Sequence, residues 1–284
     1  MLAAAGCSRS AAPAPAGQSN NPPALKRIIS AAPSNTEIVT GLGMGGLLIA
    51  VDKYSGEIPG VPPGLPQIDF FYPDTEAIIG LAPDLILVNE VNTFGVADNP
   101  FKLLGDLGIK VAYVPASSSI EGIYRDILLI AETLGIGEKG EALVQSMKDE
   151  IAEISAAKNA ADPSERKSVY FEIDSNPSIV TFGHGVYLDE MIEIAGGKNI
   201  FAEQKGYFSP SEEEIINRDP EVIFVLLYHG YDIQAGIAGR RSFENIRAIK
   251  ENRIYTIDAD SAARPSQNIM LALREIVKAL DSCK

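Results

Sequence analysis

Apolar and polar positions change rhythm twice along this chain. From Lys26 to about Val114, short apolar runs alternate with amphipathic stretches of about ten residues. RIISAA, LLIAVD, DLILV and KVAYV read as strands, whereas TEIVTGLG, the stretch after Pro73 and PFKLLGDLG read as helices. That alternation predicts a parallel sheet covered on both faces. From Ile120 to about Ala161 the pattern is helical throughout. IEGIYRDILLIAETLG is followed by a long segment with apolar residues at Ala142, Leu143, Met147, Ile151 and Ile154, close to a 3.6 period. A helix of about 22 residues spans about 33 Å, the width of a small domain. After Lys167 the alternation resumes with SVYFEI, YLDEMIEIAG, NIFAE, a helix around FENIRAIKE, RIYTI and a closing helix from Gln267 to Leu280.

One segment is written twice. PDTEAIIGLAPDLILV (73–88) returns as PSEEEIINRDPEVIFV (210–225), with Pro73 facing Pro210, Glu76 facing Glu213 and Pro83 facing Pro220, each 137 positions on. Ile38 and Met191 lie 153 apart in TEIVTGLG and DEMIEIAG, and Val111 and Ile254 lie 143 apart in VAYV and IYTI. The drifting offset means equivalent elements joined by loops of unequal length. The expected fold is α/β: two Rossmann-like lobes with parallel sheets, joined by one long α-helix, with a ligand cleft between them. The boundaries are an N-terminal lobe over 26–137, a connecting helix over 138–162 and a C-terminal lobe over 163–284. A single doubly wound sheet is the alternative, and the long helix in the middle argues against it.

Composition narrows the function. A chain of 284 residues with 46% apolar and 22% charged residues is globular and large enough for two lobes. Its formal charge of −14 provides no basic footprint for nucleic acid. Two histidines, His184 and His229, are too few for a typical zinc or manganese site. No apolar run is long enough to span a membrane. Residues 1–25 are rich in Ala, Pro, Ser, Asn and Gln and read as a flexible tether. The small residues before Cys7 look like the remnant of a bacterial lipoprotein signal, with a lipid at Cys7; its usual basic and long apolar regions are missing here.

Catalytic motifs are nearly absent. GLGMGG (41–46) matches a dinucleotide fingerprint in letters, but it closes a helix and precedes a strand, the habit of C-cap glycines. It is the sole support for the alternative of a dinucleotide-dependent enzyme. Glu172 and Asp174 have no evident acid–base partner. Ligands of open parallel sheets sit beyond the carboxyl ends of the strands. The loops expected there carry Phe70, Phe71, Tyr72, His184, Tyr187, Tyr228, His229, Tyr231 and Arg264, an aromatic surface with a few polar groups. Phe71, Tyr72, His184, Tyr228, His229 and Arg264 are the candidate ligand-binding residues.

RIISAAPSNTEIVTGLG, PDTEAIIGLAPDLIL, TFGHGVYLDEMIEIAGGKNIF and SPSEEEIINRDPEVIF together resemble the substrate-binding proteins of ABC importers for corrinoids, ferric siderophores and haem. The resemblance runs from Lys26 to the end. It implies a monomeric, non-catalytic, extracytoplasmic receptor without a resident cofactor. A small-molecule complex of iron or cobalt is captured between the lobes and delivered to the transmembrane permease subunits. It also implies that Glu76 and Glu213, one per lobe, pair with permease arginines. Haem would find axial ligands in Tyr72 or His184, with Tyr228 and His229 as further candidates. An anionic siderophore would call on Arg264. Ferric siderophore ranks first, haem second and corrinoid third, because corrinoid receptors often wall the cleft with Trp and this chain has none.

Overall fold

A computed structural model describes residues 25–70, 72–90, 100–159, 163–227 and 233–283. Phe71, Tyr228, His229, Tyr231, Cys7 and the expected end of the connecting helix at 162 lie outside them.

The first sheet is made of β1 (Ile28–Ser30), β2 (Leu48–Asp52), β3 (Gln67–Ile68), β4 (Leu85–Asn89) and β5 (Lys110–Val114). Their spatial order is β3-β2-β1-β4-β5, every pair parallel. The unbroken apolar run of β4 is buried through Leu85, Ile86, Leu87 and Val88, as a strand covered on both faces requires. Helices α1 (Pro33–Gly41), α2 (Thr75–Gly80) and α3 (Pro100–Asp106) connect these strands.

The second sheet has the order β11-β10-β6-β8, built from β6 (Ser168–Glu172), β8 (Lys198–Asn199), β10 (Val222–Leu227) and β11 (Ile254–Asp258), also parallel. Around it lie α6 (Tyr187–Ile194), α7 (Glu212–Arg218), α8 (Ile233–Ala238), α9 (Arg247–Lys250), α10 (Ala259–Ala263) and α11 (Ile269–Ser282). A small antiparallel pair, β7 (Thr181–Phe182) with β9 (Tyr207–Phe208), sits beside the sheet.

Between the sheets run α4 (Ile120–Thr133) and α5 (Gly137–Asn159), the latter 23 residues long. The largest buried cluster is common to both lobes. It joins Ile28 and Leu85 of the first sheet to Ile127 of α4, Met147 of α5, Met191 of α6, Phe224 of β10 and Leu273 of α11.

Local differences from the sequence expectation have local causes. GLGMGG closes α1 as expected: Leu42 N donates to Ile38 O at 2.9 Å, Gly43 takes φ +74°, and a 3-10 turn leads into β2. The strand expected over NIFAE shrinks to two residues because Asn199 Oδ1 accepts from Phe201 N at 3.0 Å and turns the chain. The helix expected around FENIRAIKE is broken into a 3-10 turn and α9, which restarts where Asp219 Oδ1 accepts from Arg247 N at 2.8 Å. A side chain remote in sequence makes that cap, so no local pattern announces it.

Candidate functional site

Strands β1, β2 and β4 end at one level, and the loops leaving them form one wall of a cavity of about 320 Å³. Residues 31–34, 52–54, 68–70 and 89 line it from the first lobe and residues 263–265 from the second. This is the carboxyl-end position that a parallel sheet offers a ligand. Ala31, Ala32, Pro33, Ile68 and Phe70 supply apolar surface; Phe70 is buried behind it and stacks on Phe101 at 6.0 Å. Tyr54 projects its ring with 61% of its surface exposed, and Lys53 Nζ lies 5.3 Å from that ring's centroid.

The charged groups in the wall are engaged. Lys53 Nζ pairs with Asp69 Oδ2 at 3.0 Å. Asp52 accepts from Tyr54 N at 2.8 Å and, through its other oxygen, from the Ser55 hydroxyl. Burial raises the Asp52 pKa, outweighing those two hydrogen bonds. Arg264 does reach the cavity, but one terminal nitrogen donates to Glu37 Oε1 at 2.9 Å and the other pairs with Asp260 Oδ1 at 2.7 Å. A guanidinium shared between two carboxylates is not a free anchor for an anionic ligand.

Glu37 belongs to α1 of the first lobe, and its partners belong to the second. Besides Arg264, the Ser266 hydroxyl donates to Glu37 Oε2 at 2.5 Å, and Gln267 Nε2 donates to the Glu37 carbonyl at 2.9 Å. Burial raises the Glu37 pKa, with the Ser266 and Arg264 bonds pulling the other way. A second seam crosses between the lobes nearby: Tyr187 N donates to Ser118 O at 2.6 Å, and Ile120 N donates to Glu190 Oε2 at 3.3 Å. These seams tie the two lobes together.

The other expected residues disperse. Tyr72 is 87% exposed and lies outside the cavity wall. His184 is exposed, with Nδ1 against Ala202 O at 3.0 Å, away from the cavity lining. Tyr187 is buried and donates its hydroxyl to Ala262 O at 2.8 Å, a packing role. Glu172 has a partner that its sequence neighbours do not reveal: Arg240 binds it through both terminal nitrogens at 2.8 and 2.7 Å, and Tyr170 Oη donates at 2.9 Å. That buried ion pair holds the second lobe together. Asp52, Lys53 and Tyr54 were not singled out as residues; the signal was their place directly after β2.

On the outer surface, α2 and α7 occupy equivalent places in the two lobes. Asp74 caps α2 by accepting from Ala77 N at 3.0 Å, leaving Glu76 exposed and without a partner among the described residues. In α7 three consecutive glutamates follow Ser211. Glu214 closes a capping box with Ser211, and Glu212 accepts from Ser242 Oγ at 2.6 Å. Among the described residues, Glu213 alone of the three has a carboxylate without a partner.

Two parallel-sheet lobes on a long helix, with a cavity between strand ends, define the architecture of a two-lobed binding protein. The chain belongs to the periplasmic binding protein family, which it matches over residues 28–261. It is 31% identical over 258 residues to an uncharacterized ABC transporter substrate-binding lipoprotein, YvrC, of Bacillus subtilis, covering 90% of this chain and 80% of that one. It is 27% identical over 265 residues to the vitamin B12-binding protein of Vibrio parahaemolyticus, covering 92% and 91%. Its fold matches a crystal structure from Staphylococcus epidermidis, described as a possible iron-binding (periplasmic solute-binding) protein. The TM-score is 0.79 at 31% identity, over 90% of this chain and 99% of the other. The relatives are transport receptors. No helix among the described residues is long and apolar enough to cross a membrane.

Proposed function

We propose that this protein is the extracytoplasmic receptor of an ABC importer and that its ligand is a metal complex of low net charge, a corrinoid before any other. One observation carries the choice: the cationic groups in the cavity wall, Lys53 and Arg264, are both neutralised by the protein's own carboxylates. An anionic chelate would have to displace Asp69, or Glu37 and Asp260, before it gained a counter-charge. A ring system with neutral hydrogen-bonding edges needs no such exchange. It finds the Tyr54 ring and the apolar surface of Pro33, Ile68 and Pro265. The vitamin B12-binding relatives support the same choice. The order expected from the sequence therefore changes, because Arg264 is occupied and because Tyr54 supplies aromatic wall without Trp.

The rest of the reading is organisational. Lobes over 26–137 and 163–284, joined by the segment over 138–162 that α5 begins, hold the ligand between them. Glu76 and Glu213 face permease arginines, Cys7 carries the lipid, and the receptor acts as a monomer without catalysis.

The test is a calorimetric and spectroscopic titration of the purified protein. Its arms are cyanocobalamin, haemin, a neutral ferric trihydroxamate and an anionic ferric tricatecholate. Stoichiometric binding of cyanocobalamin with no binding of the tricatecholate is the expected result. Tight tricatecholate binding with no response to cyanocobalamin would overturn the proposal.

A further inference from the structure

The first turn of α1 opens directly onto the cavity. Its N-cap residue is Ala32, which has no side chain able to cap, and Pro33 has no N–H to offer. The amides of Ser34 and Asn35 meet no acceptor among the described residues, as expected for the first turn of a helix whose cap is missing. The Ser34 hydroxyl adds to this. Ser34 lines the cavity, only 6% of its surface is exposed, and no hydrogen bond from the described residues reaches its side chain. The next residue, Asn35, is fully buried with both its side-chain nitrogen and oxygen unpartnered. A cavity-facing hydroxyl that the described residues leave without a partner, beside an uncapped helix start, is hydrogen-bonding capacity held open at a ligand wall.

A helix N-terminus ordinarily invites an anion. Here the neighbour argues otherwise. Ser30 of β1 pairs with Val51 of β2, so the α1 turn and Asp52 leave adjacent strands at the same level, and both line the cavity. Each Asp52 oxygen accepts one intramolecular hydrogen bond and has capacity for another. A ligand carboxylate or phosphate at this spot would share the cavity with that carboxylate, a charge of the same sign. A neutral group with an acceptor on one side and a donor on the other satisfies both.

Resting on the corrinoid reading, we propose that the open first turn of α1 and Asp52 form a subsite for a primary carboxamide of the ligand. The amide oxygen accepts from the Ser34 N–H and the Ser34 hydroxyl, the two donors of this turn that face the cavity. The amide NH2 donates to the Asp52 carboxylate. The subsite thereby discriminates by functional group and not by charge: it takes the side-chain amides at a corrin's edge and rejects the same framework bearing carboxylates. A site built to pair both ends of a polar group is a strong discriminator, since the wrong group leaves buried partners unpaired.

Calorimetry with three corrinoids tests this. Cyanocobalamin carries the amides and a phosphodiester, dicyanocobinamide carries the amides alone, and dicyanocobyrinic acid carries carboxylates in their place. Wild type is expected to bind the first two within a few-fold of each other and the acid about 100-fold or more weakly. Ser34→Ala is expected to weaken amide binding about 3- to 10-fold, the effect of one hydrogen bond. Asp52→Asn is expected to weaken it by a similar factor while relaxing the rejection of the acid. Melting curves of both variants establish that they are folded, and Ser34→Ala, which removes no protein contact, serves if Asp52→Asn fails that check. Binding of the acid as tight as that of cobinamide would overturn the subsite. So would unchanged amide affinity in Ser34→Ala. A preference for cyanocobalamin of 100-fold or more over cobinamide would point instead to a phosphate site. Should none of the three bind, the corrinoid reading falls and the subsite with it. Should cyanocobalamin bind and the variants behave as wild type, only the subsite falls.

Discussion

Glu37 is a carboxylate withdrawn almost completely from water and held by groups of the opposite lobe. Burial raises its pKa above 4.5 although Ser266 and Arg264 draw it down. A carboxyl with a raised folded-state pKa binds its proton more readily folded than unfolded. Its contribution to stability is fully present below the unfolded value and is lost as pH rises through the folded one. The stability of wild type relative to Glu37→Gln, followed by urea unfolding, is therefore expected to improve as pH falls from neutral toward 4.5. A difference that does not change with pH would contradict the shift. At neutral pH, Arg264→Ala leaves that carboxylate buried without its cation, an expected loss of about 3–5 kcal/mol. Arg264 was legible in the sequence as a residue of the cleft. Its engagement was not, because Glu37 lies 227 positions away and nothing local marks the pair.

Among the elements, the glycine run after α1 shows how a motif is read by its position. Gly45 has no room for a side chain, since a Cβ there would stand 2.2 Å from the Gly60 carbonyl oxygen, whereas Gly46 has nothing within 4 Å. Gly45→Ala is expected to cost about 1–3 kcal/mol, and Gly46→Ala far less, both read from urea midpoints. Equal effects would mean that the close approach of the 60s loop is not what fixes this glycine. The strands β1, β2, β4, β5, β6, β10 and β11 were all legible, because each is an apolar run bounded by turn residues. β3, β7 and β9 were not: two-residue strands leave no period to detect. α10 was missed as well, a short helix whose start depends on Asp258 accepting from Ser261 N at 2.8 Å. The site followed the same rule. Its loops were placed by the ends of the long strands, while the pairing of Lys53 with Asp69 and the isolation of Ser34 depend on loop conformation that no periodicity encodes.

For the molecule as a whole, the outward face can be separated from the cleft. Glu76 and Glu213 lack partners among the described residues, while their neighbours Asp74, Glu212 and Glu214 are committed to caps and a serine. The Glu76→Lys/Glu213→Lys double variant is expected to abolish ligand-stimulated ATP hydrolysis by the reconstituted transporter while leaving ligand affinity within about two-fold, because exposed charges remote from a site are screened. A loss of affinity instead would place these residues in binding and not in docking. The core shared by both lobes adds a mechanical consequence. Interiors packed at crystal-like density resist shear, and Ile127, Met147 and Leu273 lie in a buried cluster that both lobes share with α4, α5 and α11. On the docking role proposed above, the span between Glu76 and Glu213 is then expected to stay nearly the same length whether the cleft is full or empty. A transporter reading both glutamates would have to sense occupancy through the loops at the cleft mouth.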